Sequence, residues 1–429
     1  MDKESLEKIE ASLNKIRSLL NKISKFINVN YPLTKINEIE ETIKLLRPPR
    51  FLIIGRRGSG KSTLINAMIG KYECDISDVG TGTKKPEWQI YKHNNRELSC
   101  LDTRGFQDPL DHQEISGDQI WKIVKKCCPD VVLFLCKATE VDAAIDKDLA
   151  CTEEILKKFK SHYHREIPLI GVVTQCDQLA PHYIRLPTED KKKTQNIEKA
   201  KDILREHIQK KLSSARLSDV IATVAYAEYA ANKEIKVDVD YRWNIEEQLM
   251  EVLLKLVPPE TKPELEPKCL ADLAKEFVNV IRNVVSILAP VVSSASQIPG
   301  VSLVIVLIIQ VNMVKIIANM GGDNNDIKLE DAVKFLVMYK GMDTIVQDVN
   351  GDFIESAVSI ISQVVSEQGV IQGMEETLLQ SIPFIGPLIN SFLSADATQK
   401  LGEAAISYYI LNEDTPPDTQ TSLAPVPAY

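Results

Sequence analysis

Gly55-Arg56-Arg57-Gly58-Ser59-Gly60-Lys61-Ser62 is the stretch that decides the fold. It fits the spacing GxxxxGK[ST], directly after the apolar run Phe51–Ile54 and directly before a helical pattern over Thr63–Ile69. A glycine-rich turn between a strand and a helix is the context that a phosphate-binding loop requires. Its glycines let the backbone curl so that successive N–H groups face phosphate oxygens. The helix that follows adds the partial positive charge of its N-terminus. Lys61 suits the β- and γ-phosphates, and the Ser62 hydroxyl suits Mg²⁺. Gly55 to Ser62, with Thr63, are therefore the expected phosphate cradle.

Outward from this loop, short apolar runs alternate with longer helix-like stretches. Phe51–Ile54, Glu97–Leu101, Val131–Cys136, Pro168–Val173 and Val220–Ala225 read as strands, and 61–71, 115–127, 143–160 and 190–213 as helices. This alternation predicts an α/β domain over residues 50–257, with a mostly parallel sheet covered on both faces.

Three further elements fall at strand ends. Asp102-Thr103-Arg104-Gly105 follows the run Leu98–Leu101. Its Asp102 suits Mg²⁺, and the Gly105 N–H suits a γ-phosphate. Thr174-Gln175-Cys176-Asp177 follows the run Pro168–Val173 and resembles the guanine-reading [NT]KxD motif, with Gln175 in place of the usual Lys. A carboxylate at Asp177 would accept from the ring N–H and 2-amino group of guanine. Adenine offers neither donor, so the carboxylate would be left unpaired. Ala225, in Ala225-Tyr226-Ala227, stands where a backbone N–H would meet the guanine oxygen. A switch threonine that closes on Mg²⁺ is either Thr81 or Thr83, in the glycine-punctuated Gly80-Thr81-Gly82-Thr83.

In this order the four motifs resemble the Ras-like and Era-like translation-factor class of GTPases, over roughly residues 50–257. The resemblance implies binding of GTP and GDP with Mg²⁺, and hydrolysis of GTP. Ser62, Asp102 and Thr83 become the implied metal-contacting residues. Ras-like proteins carry a water-positioning Gln just after DxxG; here that place holds Phe106. Arg57 and Arg104, with Arg56, are candidates for an internal arginine finger, the alternative being solvated arginines or arginines facing a partner. Gln107 and His112 are weaker candidates for positioning water.

The flanks have a different texture. Leu6, Ile9, Leu13, Ile16, Leu20, Ile23 and Ile27 form one stripe of an amphipathic helix over residues 5–28. A second helix is expected from Thr34, as N-cap, to Leu46. A proline-rich segment, 258–269, reads as a linker, residues 270–411 as a helical domain and 412–429 as a disordered tail. Gln297-Ile298-Pro299-Gly300, Gln310–Met313, Ile382–Gly386 and Gly402–Ala405 resemble a bacterial helical domain found behind Era-like GTPase domains. The overall plan resembles immunity-related, dynamin-like GTPases, which implies that residues 1–49 pack with 270–411.

No residue between Arg282 and Lys315 is charged, and residues 377–395 are also uncharged, but prolines break both stretches. They suit either a buried helical core or contact with a membrane. The formal charge of −9 argues against a nucleic-acid partner. Eight cysteines without a CxxC pair, and a charged N-terminus, fit free thiols in the cytoplasm. The expected function is a GTPase that self-associates with nucleotide as a homodimer, peripheral at a membrane. The alternative is a regulatory switch acting on a protein partner.

Overall fold

The computed structural model describes residues 3–24, 28–74, 88–102, 117–142, 145–294, 301–321, 327–344 and 394–413. The chain divides into two compact units. One comprises Pro48–Leu265; the other joins Met1–Arg47 to Glu266–Tyr429.

The first unit holds a six-stranded sheet. Its strands are β1 (Arg50–Gly55), β2 (Trp88–His93), β3 (Arg96–Asp102), β4 (Val131–Lys137), β5 (Pro168–Thr174) and β6 (Arg216–Ala222), in the order β2-β3-β1-β4-β5-β6. All neighbours are parallel except β2 and β3. Strand alternation splits the apolar runs between two cores. Leu52 and Ile54 join Val132, Phe134, Leu169 and Val173 on one face, while Phe51 and Ile53 join Leu133, Leu135, Ile170 and Val172 on the other. A strand buried on both faces needs an unbroken apolar run, which is how β1, β4 and β5 were legible.

Helices α4 (Gly117–Val124), α5 (Asp146–Tyr163) and α6 (Lys191–Lys211) cover the first face through Ile120, Leu149, Phe159 and Leu204. Helix α3 (Lys61–Ile69) and helix α7 (Glu251–Leu256) cover the second through Leu64, Met68 and Leu253. Chain order reverses across β1, which pairs with β3 on one side and β4 on the other. Ligands of open α/β sheets bind beyond the carboxyl ends of strands at such a point, and Gly55 is the carboxyl end of β1.

Several sequence expectations are corrected here. Strand β2 is an edge strand in which only Tyr91 is buried, and it turns into β3 through Asn94 and Asn95 at φ of 48° and 59°. Two positive φ values suit the tight hairpin whose twist matches the strands. A second hairpin, β7 (Ala227–Tyr229) with β8 (Ile235–Asp240), follows β6 and was also unforeseen. The expected linker is in part folded. Pro259–Thr261 and α8 (Lys262–Leu265) form helical turns within this unit, with Thr261, Pro263 and Leu265 buried and the Leu265 carbonyl accepting from Arg96 Nε at 3.1 Å.

The second unit is helical: α1 (Lys3–Ile23), α2 (Asn30–Leu45), α9 (Pro267–Ser294), α10 (Val301–Gly321), α11 (Leu329–Thr344) and α12 (Ala395–Tyr409). Ile9, Leu13, Ile16 and Leu20 of the α1 stripe are fully buried in one core with Ile36 and Ile43 of α2, Phe277 and Ile281 of α9, and Leu401 of α12. Helix α2 starts four residues before the expected N-cap, and the Thr34 hydroxyl instead donates to Asn30 O at 3.0 Å inside the helix.

The described side chains of the uncharged run before Lys315 are largely buried. Val284, Val285, Leu288 and Ile305–Val314 lie inside this core. Gln310 Nε2 donates to Thr398 Oγ1 at 2.9 Å, and Asn312 Nδ2 to Ile308 O at 2.7 Å, so each side-chain NH2 group has an acceptor inside the core. Among the described residues no helix is long and apolar enough to cross a membrane. The segments 377–393 and 414–429 lie outside the described residues.

Candidate nucleotide site

The loop at the end of β1 has the geometry its residues predict. Gly58 and Gly60 take φ of 76° and 85°, a region costly for any residue with a Cβ. Gly55 is needed for a different reason. A Cβ there would sit 2.6 Å from Leu135 O and 2.7 Å from Ser59 Oγ. Gly60 caps α3, and Leu64 N donates to its carbonyl at 2.8 Å. The first-turn N–H groups of a helix have no acceptor within the helix, which leaves this end suited to an anion. The Lys61 side chain turns back over the loop, and its Nζ donates to Gly55 O at 3.1 Å and Arg56 O at 3.0 Å. Ser62 and Thr63 are half-buried beside it.

Arg56 is held by a residue the sequence reading missed. Its Nε donates to Asp148 Oδ2 at 2.6 Å, in the first turn of α5. The Asp148 side chain is 2% exposed. Burial pushes its carboxyl above the usual range, while Arg56 and then Lys61 pull it down. Arg56 thus pairs through Nε with a buried carboxylate. Arg57 is half-buried. Lys137, at the end of β4, brings its Nζ within 3.3 Å of where a Gly58 Cβ would be, and pairs with Glu140 at 3.2 Å.

The Thr174–Asp177 element is fastened to the same loop. Thr174 is buried at the end of β5, and its hydroxyl donates to Ser59 O at 2.8 Å. Gln175, at φ 57°, donates from Nε2 to Gly58 O at 2.9 Å. Two consecutive side chains therefore bind two consecutive loop carbonyls. Asp177 is exposed, while its own carbonyl accepts from Lys193 Nζ at 2.7 Å. Lys193 lies in a lysine-rich helix whose interleaved charges predict a solvated face, yet it is 0% exposed. Thr223 joins the next element, accepting from Cys176 N at 3.3 Å and donating to Val173 O at 2.8 Å. Ala225 follows two residues later and is half-buried.

Asp102 is the last residue of β3, in register with Ile53 of β1, two residues before Gly55. Its backbone therefore ends beside the loop. Thr81, Thr83, Arg104, Gly105, Phe106, Gln107 and His112 lie outside the described residues. Among the described residues no group of three or more His, Cys, Asp or Glu could hold a metal. Burial pushes the thiols of Cys136 and Cys176 up to about 12, so both are protonated and unreactive.

Residues 50–175 match the family model described as 50S ribosome-binding GTPase. The GTPase Der of Rippkaea orientalis is 27% identical over 150 residues, 30% of this chain and 32% of that protein. The tRNA modification GTPase MnmE of Vibrio vulnificus is 31% identical over 102 residues, 23% of this chain and 22% of its own. The chain thus spans about a third or less of the length of these relatives. The solved structure of Era in complex with MgGDPNP and nucleotides 1506–1542 of 16S ribosomal RNA aligns at 24% identity, covering 55% of this chain and 67% of that one, with a TM-score of 0.33. On the family match, the sheet order and the loop, the α/β unit has the P-loop GTPase fold.

Proposed function

We propose that this chain binds guanine nucleotide with Mg²⁺ and hydrolyses GTP to GDP and phosphate. The observation that carries the reading is the pair of bonds from Thr174 and Gln175 to the carbonyls of Ser59 and Gly58. They place the element expected to read the base directly on the loop expected to hold the phosphates. Gln175 thereby makes a contact of its own where the motif usually has Lys. In this reading Lys61 leaves the loop carbonyls for the phosphates, and Gly55 to Thr63 line them. Asp177 reads guanine, and the Ala225 backbone meets its oxygen. Ser62 and Asp102, with Thr81 or Thr83, would hold Mg²⁺, which supplies positive charge to the phosphate oxygens. Arg57 and Arg104 would offset charge in the transition state.

The test is release of phosphate from GTP, with Lys61→Ala as the blank. Turnover in the wild type that the variant abolishes supports the reading; equal release from both refutes it.

A second reading, self-association driven by nucleotide, rests on Phe106 standing where Ras-like proteins have their water-positioning Gln. A partner copy would then complete the site. Specific activity rising with protein concentration supports a homodimer. A flat, slow rate favours a switch that waits for a protein partner.

A further inference from the structure

A buried lysine whose ammonium makes no ion pair among the described residues needs a reason. Lys193 sits in the first turn of α6, where the Asp190 side chain caps the helix by accepting from Lys193 N at 2.7 Å. Its side chain is fully buried, although an ammonium without partners is costly to desolvate. An ammonium has three donors, and all three are used on one loop. Nζ donates to Asp177 O at 2.7 Å, to Leu179 O, and to Pro181 O at 3.4 Å. Asn196, one turn further along α6, donates from Nδ2 to Ala180 O at 2.8 Å. One helix therefore holds the carbonyls of Asp177, Leu179, Ala180 and Pro181.

The helix itself is rigidly set. Ile197, Ala200, Leu204 and Ile208 are buried in the core with Leu169 and Val173 of β5. The other end of the same loop is fixed by Thr174 and Gln175 on the loop after β1. The backbone of 174–181 is thus tied down at both ends with its carbonyls turned into the protein, while Asp177 is exposed.

We infer that Lys193, seconded by Asn196, is a positioning residue for base recognition, holding the Asp177 backbone so that its carboxylate meets the base in one orientation. The inference rests on the reading of Asp177 as the guanine acceptor. It predicts that Lys193 governs discrimination between bases more than affinity for phosphates.

The test compares GDP with inosine diphosphate, which lacks the 2-amino group, on the full chain by calorimetry. A hydrogen bond to a charged group corresponds to a preference of about tenfold or more. The wild type should prefer GDP by that factor. Lys193→Met should reduce the preference to about twofold or less, with GDP losing about fivefold or more beyond what inosine diphosphate loses, because inosine keeps the ring N–H donor but lacks the 2-amino group. Asn196→Ala, which leaves the lysine in place, should give an intermediate preference, and it carries the test if Lys193→Met does not fold. A preference unchanged in a folded variant, with both nucleotides weakened alike, overturns the inference and leaves Lys193 a structural strut. A wild type with no preference shows that Asp177 does not accept from the 2-amino group, and this inference falls with that contact.

Discussion

Replacing Arg56 by methionine keeps an unbranched stem and removes the cation from the buried ion pair that joins the loop to α5. Asp148 would then lose the 2.6 Å bond to its Oδ2, while its Oδ1 already has no hydrogen-bond partner among the described residues. Removing one member of a buried pair typically costs about 3–5 kcal/mol. The carboxyl has one escape, uptake of a proton, and that route sets a ceiling. For an ordinary carboxyl of pKa about 3.9, protonation costs about 4 kcal/mol at pH 7 and about 1.5 kcal/mol at pH 5. Burial already raises this group, and loss of Arg56, the larger opposing influence, raises it further.

An acid with a raised pKa in the fold holds its proton more tightly there than in the unfolded chain. Its contribution to stability is full in acid and is lost as pH rises through the folded pKa. The variant should therefore trail the wild type by about 1–2 kcal/mol at pH 5 and by about 3–4 kcal/mol at pH 7. Urea unfolding followed by tryptophan fluorescence reads the correct unit, because Trp88, Trp121 and Trp243 all lie within Pro48–Leu265. Asp148→Asn in the variant background should remove the pH dependence. A gap that is flat between pH 5 and 7, or below about 1 kcal/mol at pH 7, would refute the view that Arg56 serves Asp148.

Three other perturbations follow from the same structure. Thr174→Val removes the hydroxyl that donates to Ser59 O, and GDP affinity measured by calorimetry should fall about fivefold or more, the equivalent of one hydrogen bond. Asn66 is fully buried in α3, with Oδ1 accepting from Glu73 N and Cys74 N and Nδ2 donating to Cys74 O. Asn66→Ala should lower the stability of the α/β unit by about 2–3 kcal/mol in urea; a change under about 0.5 kcal/mol would contradict these bonds. In the helical unit, a Cβ on Gly402 would lie 2.5 Å and 2.6 Å from the two methyls of Val278. Gly402→Ala should destabilise by about 1–3 kcal/mol through overpacking of α12 on α9, seen as a lower melting temperature of that unit.

The central strands and the loop after β1 were legible because each obeys one local rule. β1, β4 and β5 are continuous apolar runs buried on both faces, and the loop's glycines carry the two positive φ values the turn needs. The α1 stripe was legible by the same logic at helical spacing. Strand β2 was not. It lies at the sheet edge with Ile90 exposed, so no apolar run marks it, although the adjacent Asn94-Asn95 pair is a hairpin signal that could have been read. Asp148 and Lys193 illustrate a harder failure. Each is a charged residue among charged neighbours on an amphipathic helix, and local patterning predicts a solvated face. Each is buried because of an atom far away in sequence, the Arg56 guanidinium for one and the Asp177–Pro181 carbonyls for the other. The proline-rich 258–269 segment does contain the division between the units, at Leu265, but its residues 259–265 form short helical turns on the sheet unit where a linker was expected.

The most direct test of the account is equilibrium binding of Mg²⁺-GDP against Mg²⁺-ADP, by calorimetry, to the full chain and to Lys61→Ala. The account predicts that GDP binds at least about a hundredfold more tightly than ADP, because adenine leaves the Asp177 carboxylate unpaired. It also predicts that Lys61→Ala loses most of the GDP affinity. Equal binding of the two nucleotides, or GDP binding indifferent to Lys61, would contradict it.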